Sequence, residues 1–285
     1  MNFQKVALSS GLYFVGVPIG TARDITLRAL DVLASADVLA AEDTRSLRRL
    51  MDIHGVPREG RKVLSLHDHS DARNQTQLIA AMAAGQSVAY ASEAGMPLIA
   101  DPGFELGRAA RDAGHMVTCA PGPSAVLAAL VLAGLPTDAF FFGGFLPNTT
   151  SARRTALEDL RDIPATLVFY ESAKRLQAML QDASDVLGRE RKASVCREIT
   201  KKFEETRTGT LSELAAAYQS TSVKGEIVVL VDRNRSEKIS DSSLEEVLRN
   251  ALAAHSLRDA VDLVARSQDV PRRLVYQLAL SLSKE

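Results

Sequence analysis

The first 120 residues alternate short apolar runs with stretches of helical period, and nearly every run ends in a loop of Gly, Pro and short polar residues. The runs at 11–17, 38–41, 63–66, 87–91 and 116–119 read as strands. Helical patterns lie between them. One has Asp24 as its N-cap and apolar positions at Ile25, Leu27, Leu30 and Leu33; others span 44–54, an Ala-rich stretch, and 104–113. Strands that alternate with helices build an open, mostly parallel sheet covered by helices. Pro121-Gly122-Pro123 then breaks the chain, and Ser124 caps a helix over 124–133. Strands follow at 140–145, 165–170 and 193–197, with a hairpin strand near 203–208 and a closing strand at 226–231. Helices fall at 152–160, 174–187 and 211–218. The fold class is therefore α/β, with one domain over 1–120 and a second over 121–235. A polar linker, 234–243, leads to a helical module at 240–285 with patterns at 244–254, 257–267 and 271–282. Pro271 fits a first helical turn. The short turn Gln268-Asp269-Val270, with Arg272 and Arg273 after it, suits a helix-turn-helix that touches nucleic acid; a three-helix cap or dimer contact suits it equally.

Composition narrows the function. Apolar residues make up 46%, enough for real cores, and 34 basic side chains face 35 acidic ones. A chain so nearly neutral grips nucleic acid only through local patches. Cys119 and Cys196 form no CxxC, which fits a reducing compartment and neither a disulfide framework nor a zinc site. The N-terminus lacks a leader pattern, and the longest apolar stretch, 125–135, falls short of the ~20 residues a membrane span needs. A cytoplasmic protein with no membrane partner is expected. There is no GxGxxG after the first strand, no GxxxxGK[ST], no HExxH and no GxSxG, which removes the commonest dehydrogenase, ATPase, protease and esterase readings. His67-Asp68-His69 reads as a polar loop, and no metal is expected.

Ligands of open α/β sheets bind at the carboxyl ends of the strands. The loops expected there are Pro18–Asp24, Glu42–Arg45, Ser92–Gly103, Pro121–Ala125, Glu171–Arg175 and Glu198–Lys202. Glycines let backbone approach a ligand, prolines hold the loop rigid, and neighbouring carboxylates hold hydroxyls or an ammonium. Six such loops on one edge point to an enzyme with a nucleotide-like ligand.

The loops resemble those of the tetrapyrrole-methylase superfamily. Within it the chain is most similar to the small-subunit ribosomal RNA (cytidine 2′-O)-methyltransferases. The segments carrying the match are 12–28 (LYFVGVPIGTARDITLR), 40–45 (AAEDTR), 92–103 (SEAGMPLIADPG), 121–125 (PGPSA), 134–137 (GLPT), 144–147 (GFLP), 166–175 (TLVFYESAKR), 197–201 (REITK) and 224–226 (KGE). Three depart from the family pattern: VPIGT stands for TPIGN, SEAGMP for SDAGTP, and ESAKR for ESPHR.

The resemblance implies two α/β domains with S-adenosylmethionine in the cleft between them, and a homodimer. It implies methylation of a cytidine ribose in the decoding region of 16S ribosomal RNA, with the small ribosomal subunit as partner. It places Pro18, Gly95, Met96, Pro97, Ile99, Ser124, Ala125 and Tyr170 around the cofactor, closed by Gly225 and Glu226. Asp43 and Glu171 are the candidate bases, with the alternative that Asp43 pairs with Arg45 and Glu171 caps a helix. Arg45, Arg175 and Lys201 are candidates to hold phosphate or lower the hydroxyl's pKa. RNA contact would draw on Arg48, Arg49, Arg153, Arg154, Lys174, Arg175 and Lys202. Two other activities remain: methylation of a tetrapyrrole or other small molecule, and non-catalytic binding to the ribosome.

Overall fold

The computed structural model describes residues 2–66, 72–221, 223–234, 241–267, 270 and 272–282. The chain divides into two compact units, one ending at Arg233 and one beginning at Asn234. The first unit holds two five-stranded sheets.

The first sheet contains β1 (Gly11–Val15), β2 (Val38–Ala41), β3 (Val63–Ser65), β4 (Ser87–Ala91) and β5 (Val117–Ala120), in the order β3-β2-β4-β1-β5. Every pairing is parallel. The helices between them, α1 (Leu27–Ser35), α2 (Thr44–Ile53), α3 (Ala72–Ala83) and α4 (Phe104–Asp112), cover both faces. One core gathers Leu30, Leu33, Leu47 and Met51 beneath one face, and the other gathers Leu78, Met82, Leu106 and Tyr90. Burial on both faces is why β1 and β4 read as unbroken apolar runs. The cap of α1 differs from expectation. Thr26 caps it by accepting from Ala29 N, while Asp24 ends a short 3-10 turn upstream.

The second sheet contains β6 (Phe140–Phe145), β7 (Thr166–Ser172), β8 (Lys192–Arg197), β9 (Glu205–Thr210) and β10 (Glu226–Val231), in the order β6-β7-β10-β8-β9. Only β6 and β7 are parallel. Strand β10 slots between β7 and β8 and runs antiparallel to both, and β8 returns directly into β9. Helices α6 (Thr150–Leu160), α7 (Leu176–Leu187) and α8 (Leu211–Gln219) bury one face. Helix α5 (Ala125–Ala133) buries the other through Val126, Ala129, Leu130 and Ala133, joined by Ile19 from the loop after β1. The chain break at Pro121 thus separates the helix that serves the second sheet from the strands of the first.

The second unit is a three-helix module: α9 (Asp241–Ala254), α10 (Leu257–Ser267) and α11 (Arg272–Leu282), closed over Leu244, Leu248, Val261, Val264, Val275 and Ala279. Arg272, expected free at the start of a recognition helix, pairs with Asp262 of α10. Arg273 is exposed. The expected turn at Gln268-Asp269, Pro271 and the His67-Asp68-His69 cluster lie outside the described residues.

Arg153 corrects the sequence reading outright. It was expected on an RNA-facing surface, but it is 2% exposed on α6 and ion-paired to buried Asp182 of α7, Nε to Oδ2 at 2.7 Å. The Asn148 carbonyl and the Thr150 hydroxyl take two more of its donors. Removing one partner of a buried pair strands the other charge, at a cost of about 3–5 kcal/mol. Asp182→Ala is therefore expected to lower unfolding free energy by that amount in urea titrations. Arg154→Ala, which removes a half-exposed partner of Asp182 and Asp185, is expected to cost under ~1 kcal/mol.

Candidate active site

The carboxyl ends of both sheets meet at one cavity of about 370 Å³. Its position follows from how three loops of the first sheet are tied together. Val17 and Gly95 exchange two backbone hydrogen bonds, of 2.9 and 3.1 Å, which links the loop after β1 to the loop after β4. Gly16 lies against Gly122 in the loop after β5. A Cβ on Gly16 would sit 2.7 Å from the Gly122 nitrogen, so neither position admits a side chain without the loops separating. Met96, at one of the positions that depart from the family pattern, accepts from the Gly122 N–H through its sulfur at 3.2 Å.

The loop after β4 then turns sharply. Leu98 and Ala100 take left-handed conformations (φ 75° and 59°), as do Gly95 and Gly103. Such strain in residues other than glycine costs on the order of 1–3 kcal/mol each and clusters at functional sites. Here it presents Met96, Ile99, Ala100 and Asp101 to the cavity. The second sheet supplies the facing wall: Phe145, Tyr170, Glu171, Ile199 and the stretch from Gly225 to Val228. A bulge between Phe142 and Gly144 places Phe145 edge-on to Tyr170. Ser124 lines the cavity and caps α5 by accepting from Leu127 N.

The wall is mostly apolar, with carboxylates and no cation among the described residues that line it. Among the described residues Asp101 makes no ion pair. Burial pushes its carboxyl up to about 7, aided by Glu42, Glu93 and Glu226; the Ser92 hydroxyl beside it offsets part of this without a hydrogen bond of ordinary geometry. Glu171 is 3% exposed. Its Oε1 accepts from the Ser172 N–H at 2.7 Å and lies 3.3 Å from Arg175 Nε, while Oε2 has no hydrogen-bond partner among the described residues. Tyr170 is raised to about 12 by burial and by Asp101, so its hydroxyl stays protonated. Glu226 stands at the rim with Lys201, whose ammonium bridges it to Glu198 at 2.8 and 3.0 Å. Apolar walls with buried carboxylates suit a ligand with a flat or aliphatic body and positive charge.

The structure brings together Gly95, Met96, Ile99, Ser124, Ala125, Tyr170, Gly225, Glu226 and Glu171 from the sequence set. Pro18 and Pro97 are buried but do not line the cavity. Asp43 and Arg45 are not brought to it either. Asp43 caps α2 and pairs with Arg45 at 2.9 Å, which pulls its carboxyl down to about 2. Arg175 is half-buried and tied to Leu146 O, Pro147 O and the Asn148 side chain, so its role is to fasten the loop after β6. Arg49, Lys174 and Lys202 are exposed, and Arg48 is half-buried. Sequence reasoning passed over Asp101, quoted only within an Asp-Pro-Gly turn. Its signal was a carboxylate following a strand of the parallel sheet. Among the described residues no cluster of His, Cys, Asp and Glu could hold a metal ion.

Comparisons with known proteins agree with this geometry. A family profile described as Tetrapyrrole (Corrin/Porphyrin) Methylases matches residues 11–215, and one described as the RsmI C-terminal HTH domain matches 238–283. The protein named Ribosomal RNA small subunit methyltransferase I from Mesorhizobium japonicum is 44% identical over 276 residues, covering 96% of this chain and 93% of its own. Its namesake from Mycobacterium tuberculosis is 41% identical, covering 98% of each. Among solved structures, a diphthine synthase superposes with a TM-score of 0.60 at 18% identity, over 78% of this chain and 89% of its own. A uroporphyrin-III-C-methyltransferase from Thermus thermophilus does so with 0.56 at 21%, over 79% and 94%. The chain belongs to the tetrapyrrole methylases, a family of S-adenosylmethionine-dependent methyltransferases, in the branch of the ribosomal RNA small subunit methyltransferase I proteins.

Proposed function

We propose that this chain methylates the ribose 2′-hydroxyl of a cytidine in the decoding region of 16S ribosomal RNA, acting on the small ribosomal subunit in the cytoplasm. The near full-length identity to proteins named for small-subunit ribosomal RNA methylation carries the reading. Two observations suit S-adenosylmethionine to the cavity. Glu171 and Glu226 answer its sulfonium and ammonium charges. Its apolar walls, Ile19, Ile99, Ala125, Phe145 and Ile227, match a nucleoside body, and the volume lies within the usual range for small-molecule sites.

When bound, the cofactor supplies an activated methyl on a good leaving group. The protein's task is to position the hydroxyl and take its proton. Ser124, Gly225 and Glu171 hold the ligand, and the strained loop after β4 fixes the Asp101 carboxylate. Bound there, the cofactor would offer its methyl carbon to the 2′-oxygen, with the sulfide as the group that leaves. The hydroxyl proton passes to Asp101, whose value of about 7 matches a base at neutral pH. Glu171 serves in binding and Asp43 in capping α2. Exposed Arg49, Lys174 and Lys202, with Arg48 beside them, make phosphate contacts that position RNA without reading its sequence.

We also propose the homodimer that the resemblance implies. Helix α5 leaves Leu127, Val131 and Leu132 exposed, Val131 at 83%, and edge strand β6 leaves Phe140 and Phe141 exposed. Val131→Glu is expected to halve the mass seen by light scattering, and a wild-type monomer at micromolar concentration would refute the dimer.

The test of function uses small subunits from a strain that lacks the modification, labelled S-adenosylmethionine, and mass spectrometry of the digested RNA. Label in 2′-O-methylcytidine is expected; label only in an added tetrapyrrole, or none, overturns the reading. Asp101→Asn is expected to lower kcat by about 10²–10⁴-fold with cofactor affinity retained. Wild-type kcat should rise as pH passes about 7, when Asp101 loses its proton. Because folding raises this carboxyl above its ordinary 3.8, ionised Asp101 destabilises the fold increasingly above that pH and fully above about 7. Asp101→Asn should therefore raise Tm more at pH 8 than at pH 5.

A further inference from the structure

Two phenylalanines are more exposed than any other described aromatic: Phe104 at 64% and Phe203 at 61%. Both are close in sequence to residues that line the cavity. Phe104 opens α4, three residues after Asp101, and Phe203 follows Ile199 by four residues in the loop between β8 and β9. Asp101 and Ile199 are themselves wall residues, one from each sheet. Each ring therefore follows, within four residues along the chain, a residue of one of the cavity's two walls.

Neither ring hangs from a loose segment. Phe104 is held by its helix. The loop 198–204 is cross-tied by Lys201 N to Glu198 O at 2.9 Å, by Glu204 N to Lys201 O at 3.1 Å, and by the Thr200 N–H to the Glu204 carboxylate. Lys201 anchors it further on Glu198 and Glu226. Thr200 also meets the loop after β1, where its hydroxyl accepts from Thr21 N at 3.2 Å. Glu198 and Thr200 hold left-handed conformations to make this shape (φ 52° and 63°).

Each ring carries a cation. Lys202 Nζ lies 5.5 Å from the centre of the Phe203 ring, and Arg108 Cζ, whose guanidinium also donates to Glu105 at 2.6 Å, lies 5.8 Å from that of Phe104. An aromatic face paired with a positive charge offers what one unpaired nucleotide needs: a surface for the base and a partner for the phosphate. Ribose chemistry on RNA calls for a nucleotide drawn out of its stack, and such nucleotides are held by stacking on aromatic side chains.

We propose that Phe203 with Lys202, and Phe104 with Arg108, are stacking platforms for unpaired nucleotides of the RNA substrate, placed so that the ribose between them reaches Asp101. The inference rests on the RNA reading above and names the residues that would grip the substrate there.

The chain contains no tryptophan, so Phe203→Trp and Phe104→Trp each introduce a single fluorophore on a proposed platform. The first measurement is RNA binding by the wild-type protein, using small subunits that lack the modification and a short unpaired oligoribonucleotide. In each Trp variant, emission should be quenched as either RNA is added, saturating at the concentration that saturates binding. Phe203→Leu should raise KM for subunits by about 5- to 150-fold, the range expected for one lost base stack. Cofactor affinity should be unchanged, and Phe203→Tyr should restore most of the loss. Wild-type binding of RNA with no quenching in either variant would overturn the platforms while leaving the RNA reading intact. So would emission already blue-shifted without RNA and altered only on dilution, since a second copy would then cover the rings. Absence of both RNA binding and methyl transfer in the wild-type protein would remove the RNA reading and the platforms with it.

Discussion

The site depends on backbone touching backbone where the loop after β1 crosses the loops after β4 and β5. Gly16 against Gly122, and Val17 bridged to Gly95, leave no room for side chains at the crossing. From that fixed point the chain runs outward in three directions. It carries Ile19 toward the second sheet, Met96 through Asp101 along one wall, and Ser124 into the cap of α5. Helix α5 packs on the second sheet, so the same crossing sets where Tyr170 and Glu226 face Asp101. A methyl transfer requires donor carbon and acceptor oxygen in line, and misplacement by an ångström costs orders of magnitude in rate. A wall fixed through backbone contacts suits that demand better than one held by flexible side chains.

Charge is arranged around the cavity with the same economy. Cations near it are held by carboxylates, Lys201 by Glu198 and Glu226 at the rim and Arg175 by Glu171, and away from it Arg45 is held by Asp43. Among the described residues Asp101 has no such partner, and its neighbours Glu42, Glu93 and Glu226 all oppose its ionisation. Two carboxylates in similar sequence settings, each following a strand of the first sheet, are thereby driven apart, Asp43 to about 2 and Asp101 to about 7. In the proposed reaction that separation favours Asp101 over Asp43 as the base.

Much of this was legible in the sequence, and the failures have physical causes. Strands β2, β4 and β10 fall at their expected bounds, because doubly covered strands are unbroken apolar runs with sharp polar ends. Strand direction in the second sheet was hidden, since hydrophobic pattern does not encode which neighbour a strand pairs with. The start of β9 was placed at Phe203, two residues early, because an aromatic residue resembles a strand residue when exposure is unknown. Arg153 read as a surface cation because its buried partner, Asp182, is 29 residues away. Asp101 was overlooked because Asp-Pro-Gly is common turn chemistry, and only tertiary packing surrounds it with carboxylates.

The near neutrality of the chain bears on how RNA is held. A protein that relies on phosphate contacts alone pays for affinity in net positive charge and loses it steeply with salt. Here 34 basic side chains are balanced by 35 acidic ones, and several of the cations expected to meet RNA are internally paired. Two rings exposed above 60%, each close in sequence to a residue of the cavity wall, offset that balance, since stacking is far less sensitive to salt and accepts any base. On that account sequence choice lies in neither ring. It falls to the shape of the folded RNA, which must deliver one unstacked ribose between the two rings, and the surface cations then need only set its register.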